Sequence, residues 1–168
     1  MSKSAKDKNL RLIDAPALVD IAPQLAAAIH ITVVKSKIHS AMGSGLKEIM
    51  KTVQAQNIGP TGPWFTHHFE ADTTVYDLDI CVPTSATVKR VGRVEKREIP
   101  SLRVVQTVYK GDYERLAEAW AAFDKWIKAN GHAVATDFYE RYLVGPESAP
   151  DPGEWQTELR RPILAKVS

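Results

Sequence analysis

One stretch limits the fold more than any other: Tyr109 to Leu143, YKGDYERLAEAWAAFDKWIKANGHAVATDFYERYL. A glycine-bearing turn opens an amphipathic helix, Asn130-Gly131 supplies its stop, and an aromatic strand follows with one acid, Glu140. Asp112 is a good N-cap, and Glu114 stands in the first turn, where negative charge complements the helix dipole. Leu116, Trp120, Phe123 and Ile127 recur at helical spacing and fall on one face. Upstream, Leu102 to Tyr109 is β-branched and reads as a strand. Downstream, Thr136 to Val144 alternates as a second strand, and Glu154 to Ile163 makes a third. Between these two lies Pro146 to Glu154, a surface loop, because prolines cannot donate to a β-ladder. The order is strand, helix, strand, strand.

The same order recurs earlier in the chain. Ala28 to Val34 reads as a strand, about Ser40 to Asn57 as a helix, and Trp64 to Phe69 and Val75 to Val82 as strands. Aligning Asn57 with Asn130 gives an offset of 73, at which Ile49, Met50 and Val53 fall on Ala122, Phe123 and Trp126. At that offset Phe65 falls on Phe138, His67 on Glu140 and Phe69 on Tyr142. An offset of 79 then pairs Asp79 with Glu158 and Pro83 with Pro162. Identity is low, so the duplication rests on the shared order of elements.

The predicted class is α+β: two tandem βαββ modules related by a pseudo-twofold, covering approximately residues 11–87 and 88–164. Helices cover one face of an antiparallel sheet, and a ligand groove lies between the modules. Leu12 to Ile21 is an additional strand-like lead-in. Val88 to Glu98 is an edge strand or an extended linker. Residues 1–10 read as a disordered basic tail, and 11–168 as a single domain.

Bulk properties exclude several classes. With 44% hydrophobic and 25% charged residues the chain is an ordinary globular one, and its net charge of +2 is too small to argue for nucleic acid. No run of 18 apolar residues exists, so no spanning helix is expected, and no apolar leader opens the chain. The lone Cys81 permits no intrachain disulfide and no cysteine-rich metal site; it reads as a small core residue in a reducing cytoplasm. Neighbouring His67 and His68 point to opposite faces of a strand, so they do not form a metal site, and no metal or cofactor is expected. Lys110 to Asp112 lacks the glycines of a phosphate loop. Ser40, Ser44 and Ser101 lack a nucleophile-elbow context.

Glu140 is the candidate at the centre of a site. Phe138 and Tyr142 flank it at i−2 and i+2 and share its strand face. Ionised on a dry aromatic wall, it would attract a cation, with ring faces adding about 0.5–2 kcal/mol each. Desolvation would raise its pKa and let it hold or transfer a proton. The bland alternative is a solvent-facing residue paired with Arg141 or Arg160. His67 is a pocket acid–base partner or an ordinary strand histidine. Asp79 and Glu158 read as structural charges, and Trp120, Phe123 and Trp126 as core. The pocket-lining set is Phe65, Tyr76, Phe138 and Tyr142, with Trp64 and Trp155 near the groove.

Five segments in order carry a family resemblance: GPWF (62–65), YDLDICVP (76–83), YKGDYERLAEAW (109–120), FYERYL (138–143) and DPGEWQTELRRP (151–162). Together they resemble the GyrI-like small-molecule-binding domains, which also serve as effector-binding domains of AraC- and MerR-type multidrug-responsive activators. The resemblance covers roughly residues 10 to 164. It implies a pair of βαββ modules of the SHS2 type and an aromatic pocket between them, with a glutamate on the strand after the second helix, here Glu140. In the regulators the corresponding acid meets flat hydrophobic cations. Some stand-alone members of the family are hydrolases of cyclopropane-bearing alkylators, and others inhibit gyrase.

No helix-turn-helix fits before residue 10, so a stand-alone member without direct nucleic-acid binding is expected. The resulting expectation is a cytoplasmic receptor for hydrophobic, cationic or planar xenobiotics, with ligand residues Phe65, His67, Tyr76, Phe138, Glu140 and Tyr142. The alternative is a hydrolase with Glu140 and Tyr142 as catalytic residues. A protein-interaction module acting on a topoisomerase is the third reading. No membrane association and no haem ligation are expected.

Overall fold

Runs of β-branched and aromatic residues dictate most of the strands in the computed structural model, which describes residues 12–69 and 74–164. The first copy consists of β2 (Gln24–Val34), α1 (Ile38–Ala55), β3 (Phe65–His68) and β4 (Val75–Pro83). The second consists of β6 (Leu102–Lys110), α2 (Leu116–Ala129), β7 (Phe138–Val144) and β8 (Gln156–Pro162). Two further strands, β1 (Ala17–Ile21) and β5 (Glu95–Ile99), precede the two copies. The basic tail predicted for residues 1–10 lies outside the described residues.

The eight strands of the described residues form one antiparallel, curled sheet in the order β1-β6-β8-β7-β3-β4-β2-β5. The two copies are therefore mirrored in order about the β3–β7 junction, as a pseudo-twofold requires. β1, from the beginning of the chain, pairs with β6 of the second copy, and β5 pairs with β2 of the first. Each copy's sheet thus ends in a strand that sequence order alone would not assign to it. Of the lead-in predicted at 12–21, only its second half is a strand, while Ile13 makes a lone bridge to Tyr109. Within Val88 to Glu98 the edge-strand reading holds for the charged end, and an isolated bridge joins Val91 and Val94.

The helices lie on one face because alternate strand residues there are apolar. Val53 of α1 is fully buried with Ile29 and Ile80 of the sheet, and Phe123 of α2 is fully buried with Val105 and Leu159. Gly45 lets α1 approach β4 closely: a Cβ there would lie 2.5 Å from Ile80 Cδ1. β2 begins earlier than its β-branched stretch because Ala26, Ala27 and Ala28 are buried and serve both faces of a central strand. The predicted N-cap at Asp112 is present, but it caps a 3-10 turn, Tyr113–Arg115, that leads into α2. Gly111, at φ +149°, makes the preceding bend; a Cβ there would meet the Tyr109 hydroxyl at 2.6 Å.

Truncating Phe123 to alanine leaves a cavity under α2 and is expected to destabilise the protein by about 3–5 kcal/mol. A denaturant titration showing less than 1 kcal/mol of loss (about a fivefold change in the folding constant) would contradict this account of the second core.

Candidate functional site

The antiparallel register decides which side chains meet. Ile29, Ile80, Thr66, Glu140, Leu159 and Thr107 stand side by side across six strands on the helix-covered face. Glu140 therefore faces the gap between α1 and α2, at the junction of the two copies. There a cavity of about 420 Å³ opens. Ile38, His39 and Met42 border it from α1; Leu116, Ala117, Trp120 and Asp124 border it from α2. Trp64, His68, Tyr76, Phe138 and Tyr142 join Glu140 from the sheet side, and Tyr113 and Arg161 complete the lining.

Glu140 is only 7% exposed, and both of its oxygens are engaged. The Trp120 indole Nε1–H donates to Oε2 at 2.6 Å, and the Tyr142 hydroxyl donates to Oε1 at 2.8 Å. His68 Nε2 lies 3.6 Å from Oε1, beyond an ordinary hydrogen bond but within ion-pair distance. Thr66 ties the group together, its hydroxyl lying 3.0 Å from His68 Nε2 and 2.9 Å from the Tyr142 oxygen. Among the described residues no lysine or arginine forms an ion pair with Glu140.

Aromatic rings wall the carboxylate. The His68 ring stacks on Phe138 at 4.6 Å, and Trp120 meets the same Phe138 edge-on at 4.7 Å. Trp64 stacks on Tyr142 at 4.1 Å. The loop between β7 and β8 supplies Trp155, which packs on Tyr113 at 4.8 Å and donates to the Ala149 carbonyl. Two cations already sit over rings at the margin: Lys35 over Tyr76 and Arg161 over Phe138. Arg161 is held by Asp124 at 3.4 Å and by the Ala135 carbonyl at 3.0 Å.

Burial by itself would raise the Glu140 carboxyl. The nearby His68 imidazole, then the donors of Trp120 and Tyr142, outweigh it and hold the group below the ordinary glutamate value. The sequence-based expectation of a raised, proton-holding carboxyl is thereby corrected: the donors that alternation and helix packing bring together favour the anion. The carboxylate pushes in the other direction on its neighbours. Burial and Glu140 raise the Tyr142 hydroxyl, and burial with Glu147 and Glu140 raises Tyr113 to about 12.

The expected site residues divide between the two faces of the sheet. Tyr76, Phe138, Glu140 and Tyr142 come together around this cavity. Phe65 and His67 do not. His67 lies opposite Tyr139 in register, stacks on it at 4.1 Å on the reverse face, and binds Asp137 at 2.8 Å. Phe65 packs with Ala28, Cys81 and Tyr139 on that same face. The offset of 73 is the cause: for β3 and β7 it is one residue out, since Thr66 and His68 rather than His67 share the face of Glu140, and a one-residue slip moves every match to the opposite side. Arg141 and Arg160 do not pair with Glu140 but with Glu158, again on the reverse face.

Trp120, read as core, is instead a donor at the site, while Phe123 is core. A signal was available, because a partly buried indole N–H needs an acceptor. His68 and Thr66 carried no such signal, since only the register with β7 places them beside Glu140. Among the described residues no group of three or more His, Cys, Asp or Glu side chains could hold a metal ion. No helix among them is long and apolar enough to cross a membrane.

A family model described as a GyrI-like small molecule binding domain matches residues 15–164. A search of curated protein sequences finds no match. Among solved structures, the C-terminal domain of EcmrR is 23% identical, with a TM-score of 0.77, covering 90% of this chain and 98% of that one. EcmrR in complex with DNA is 22% identical, with a TM-score of 0.83 over 98% of this chain, which spans 62% of that one. SAV2435 bound to tetraphenylphosphonium is 14% identical, with a TM-score of 0.68, covering 90% of this chain and 95% of that one.

The lowered carboxyl generates a prediction with a definite sign. A group depressed in the folded state contributes stability above its unfolded pKa of about 4.3, and that contribution is lost as pH falls through the folded value. In a carboxyl-labelled NMR titration Glu140 should remain ionised below about pH 4.3, and Trp120→Phe should move its midpoint upward by removing one donor. A midpoint above the ordinary glutamate value in the native protein would refute the assignment.

Proposed function

The chain belongs to the GyrI-like small molecule binding domain family, and we propose that this member is a receptor for hydrophobic cations held over Glu140. One observation carries the reading: a buried carboxylate, held by indole and phenol donors with an imidazole at 3.6 Å, pairs with no lysine or arginine among the described residues. Isolating such a charge from water costs several kcal/mol. A ligand cation would offset that cost, and the rings of Tyr76, Phe138 and Tyr142 would add cation–π attraction and apolar contact. Asp124 and Arg161 largely cancel at the rim, so Glu140 sets the charge preference.

Tetraphenylphosphonium, the molecule bound to SAV2435, belongs to this chemical class, being bulky, apolar and singly charged. The cavity of about 420 Å³ is of the size that holds a small drug-like ligand. The proposed ligand residues are Tyr76, Phe138, Glu140 and Tyr142, with Trp120 and His68 as positioning residues that fix and charge the carboxylate. The rest of the proposal is a single ligand-binding domain working in the cytoplasm.

The hydrolase reading is weaker at this site. A Glu140 that protonates the leaving group is opposed by the fixed donors on both oxygens, which leaves this reading only a carboxylate that positions water. Turnover of a reactive ligand, lost in Glu140→Gln, would restore that reading.

Calorimetric or fluorescence titration with tetraphenylphosphonium or rhodamine should give saturable binding. Glu140→Gln should weaken it at least about tenfold, equivalent to about 1.4 kcal/mol, and an uncharged isostere of the ligand should bind poorly to the native protein. Equal affinity of the native protein for cation and isostere, or equal affinity of the native protein and the glutamine variant for the cation, would leave a hydrophobic pocket without charge selection by Glu140, and the proposal would fail.

A further inference from the structure

The sheet's reverse face carries a second cavity, of about 380 Å³, with chemistry opposite to the first. Apolar walls come from Phe65 on β3, Tyr139 on β7, Ile99 at the end of β5 and Leu102 at the start of β6. Arg141 and Arg160, on neighbouring strands, line it as well. Arg141 donates to Oε1 of Glu158, and Arg160 Nη2 makes an ion pair with the same oxygen at 3.0 Å. Arg160 also donates through Nε to Gln106 at 2.8 Å, which fixes its plane. Two positive groups thus share one buried carboxylate, and a net positive charge faces an apolar cavity.

This arrangement is unfavourable if it serves only the fold. The Arg160 side chain is 17% exposed. Burial, only partly offset by Glu158 and aggravated by Arg141, pulls its guanidinium down to about 10. A fork of donors held in place beside aromatic and aliphatic walls has the two requirements of an amphipathic anion site: charge-assisted hydrogen bonds for an oxyanion and a dry wall for a tail. Among the described residues no Lys, Arg or His other than these two arginines lines this cavity, and no acid does.

We propose that the cavity bordered by Arg141, Arg160, Phe65, Tyr139, Ile99 and Leu102 is a second ligand site, selective for small carboxylates bearing an apolar or aryl tail. It is separate from the Glu140 cavity because the sheet lies between them: Thr66 and Glu140 face the helices, whereas Phe65, Tyr139 and Arg141 face the other way. One protein would then hold a hydrophobic cation on one face and a hydrophobic anion on the other.

The test is a calorimetric titration of the native protein with 4-phenylbutyrate, with 4-phenylbutylamine and inorganic phosphate as controls for charge sign and for charge alone. Saturable binding of phenylbutyrate is expected, weakened about ten- to a hundredfold by Arg141→Met, as loss of a charged hydrogen bond implies. Arg141→Met leaves Glu158 paired with Arg160, so the fold should persist; Arg141→Lys, which keeps the charge but not the fork, should fall between. Ile99→Trp should block the cavity while leaving the ion triad intact. The affinity should be the same with and without excess tetraphenylphosphonium. Absence of saturable phenylbutyrate binding, indifference to both Arg141→Met and Ile99→Trp, displacement by equimolar phosphate, or competition by tetraphenylphosphonium would each overturn the proposal.

Discussion

The pairing of β3 with β7 is the contact on which the rest of the molecule depends. Each βαββ copy could cover only one side of its short sheet with a single helix, and each would end in an open edge. Joining the two edges antiparallel closes both and makes one continuous sheet of eight strands. The same ladder sets Thr66 beside Glu140 and leaves the two helices on either side of the junction. A cavity exists there because neither α1 nor α2 reaches across it. The site is thus a property of the junction and belongs to neither copy alone.

That junction also sorts charge by face. On the helix side the Glu140 carboxylate stands among rings, the donors of Trp120 and Tyr142 and the His68 imidazole, with no arginine or lysine paired to it among the described residues. On the reverse side Arg141, Arg160 and Glu158 form a triad with excess positive charge, and Asp79 is held by Arg97 at 2.9 Å and His30 at 2.9 Å. Separation matters energetically. Had Arg141 reached Glu140, the carboxylate would be neutralised and its attraction for a ligand cation lost. Strand alternation prevents that contact, because residues 140 and 141 point to opposite sides of the sheet. Adjacent residues in sequence therefore act in different chemical environments.

The α2 face, the Asp112 cap and the Asn130-Gly131 stop were all legible in the sequence, as were most strand positions. So was the group Phe138, Glu140 and Tyr142, because i−2, i and i+2 share a face whatever the partner strand. The two misplaced site residues have one origin. Matching the copies by aligned asparagines put His67 where His68 or Thr66 belonged, and Phe65 followed it to the wrong face. Pairing partners failed similarly: nothing local says that β1 joins the second copy's sheet and β5 the first.

Local chemistry alone thus determined the duplicated strand–helix–strand–strand plan, the helical core stripe, and a carboxylate set between two aromatics. These depend on periodicity, capping and turn chemistry, which act over a few residues. Only the tertiary structure decided which neighbours that carboxylate has, and so the direction of its ionisation. Tyr142 comes with the strand itself, but Trp120 reaches the carboxylate through helix packing and His68 through the β3–β7 register, and neither is written in the residues around Glu140.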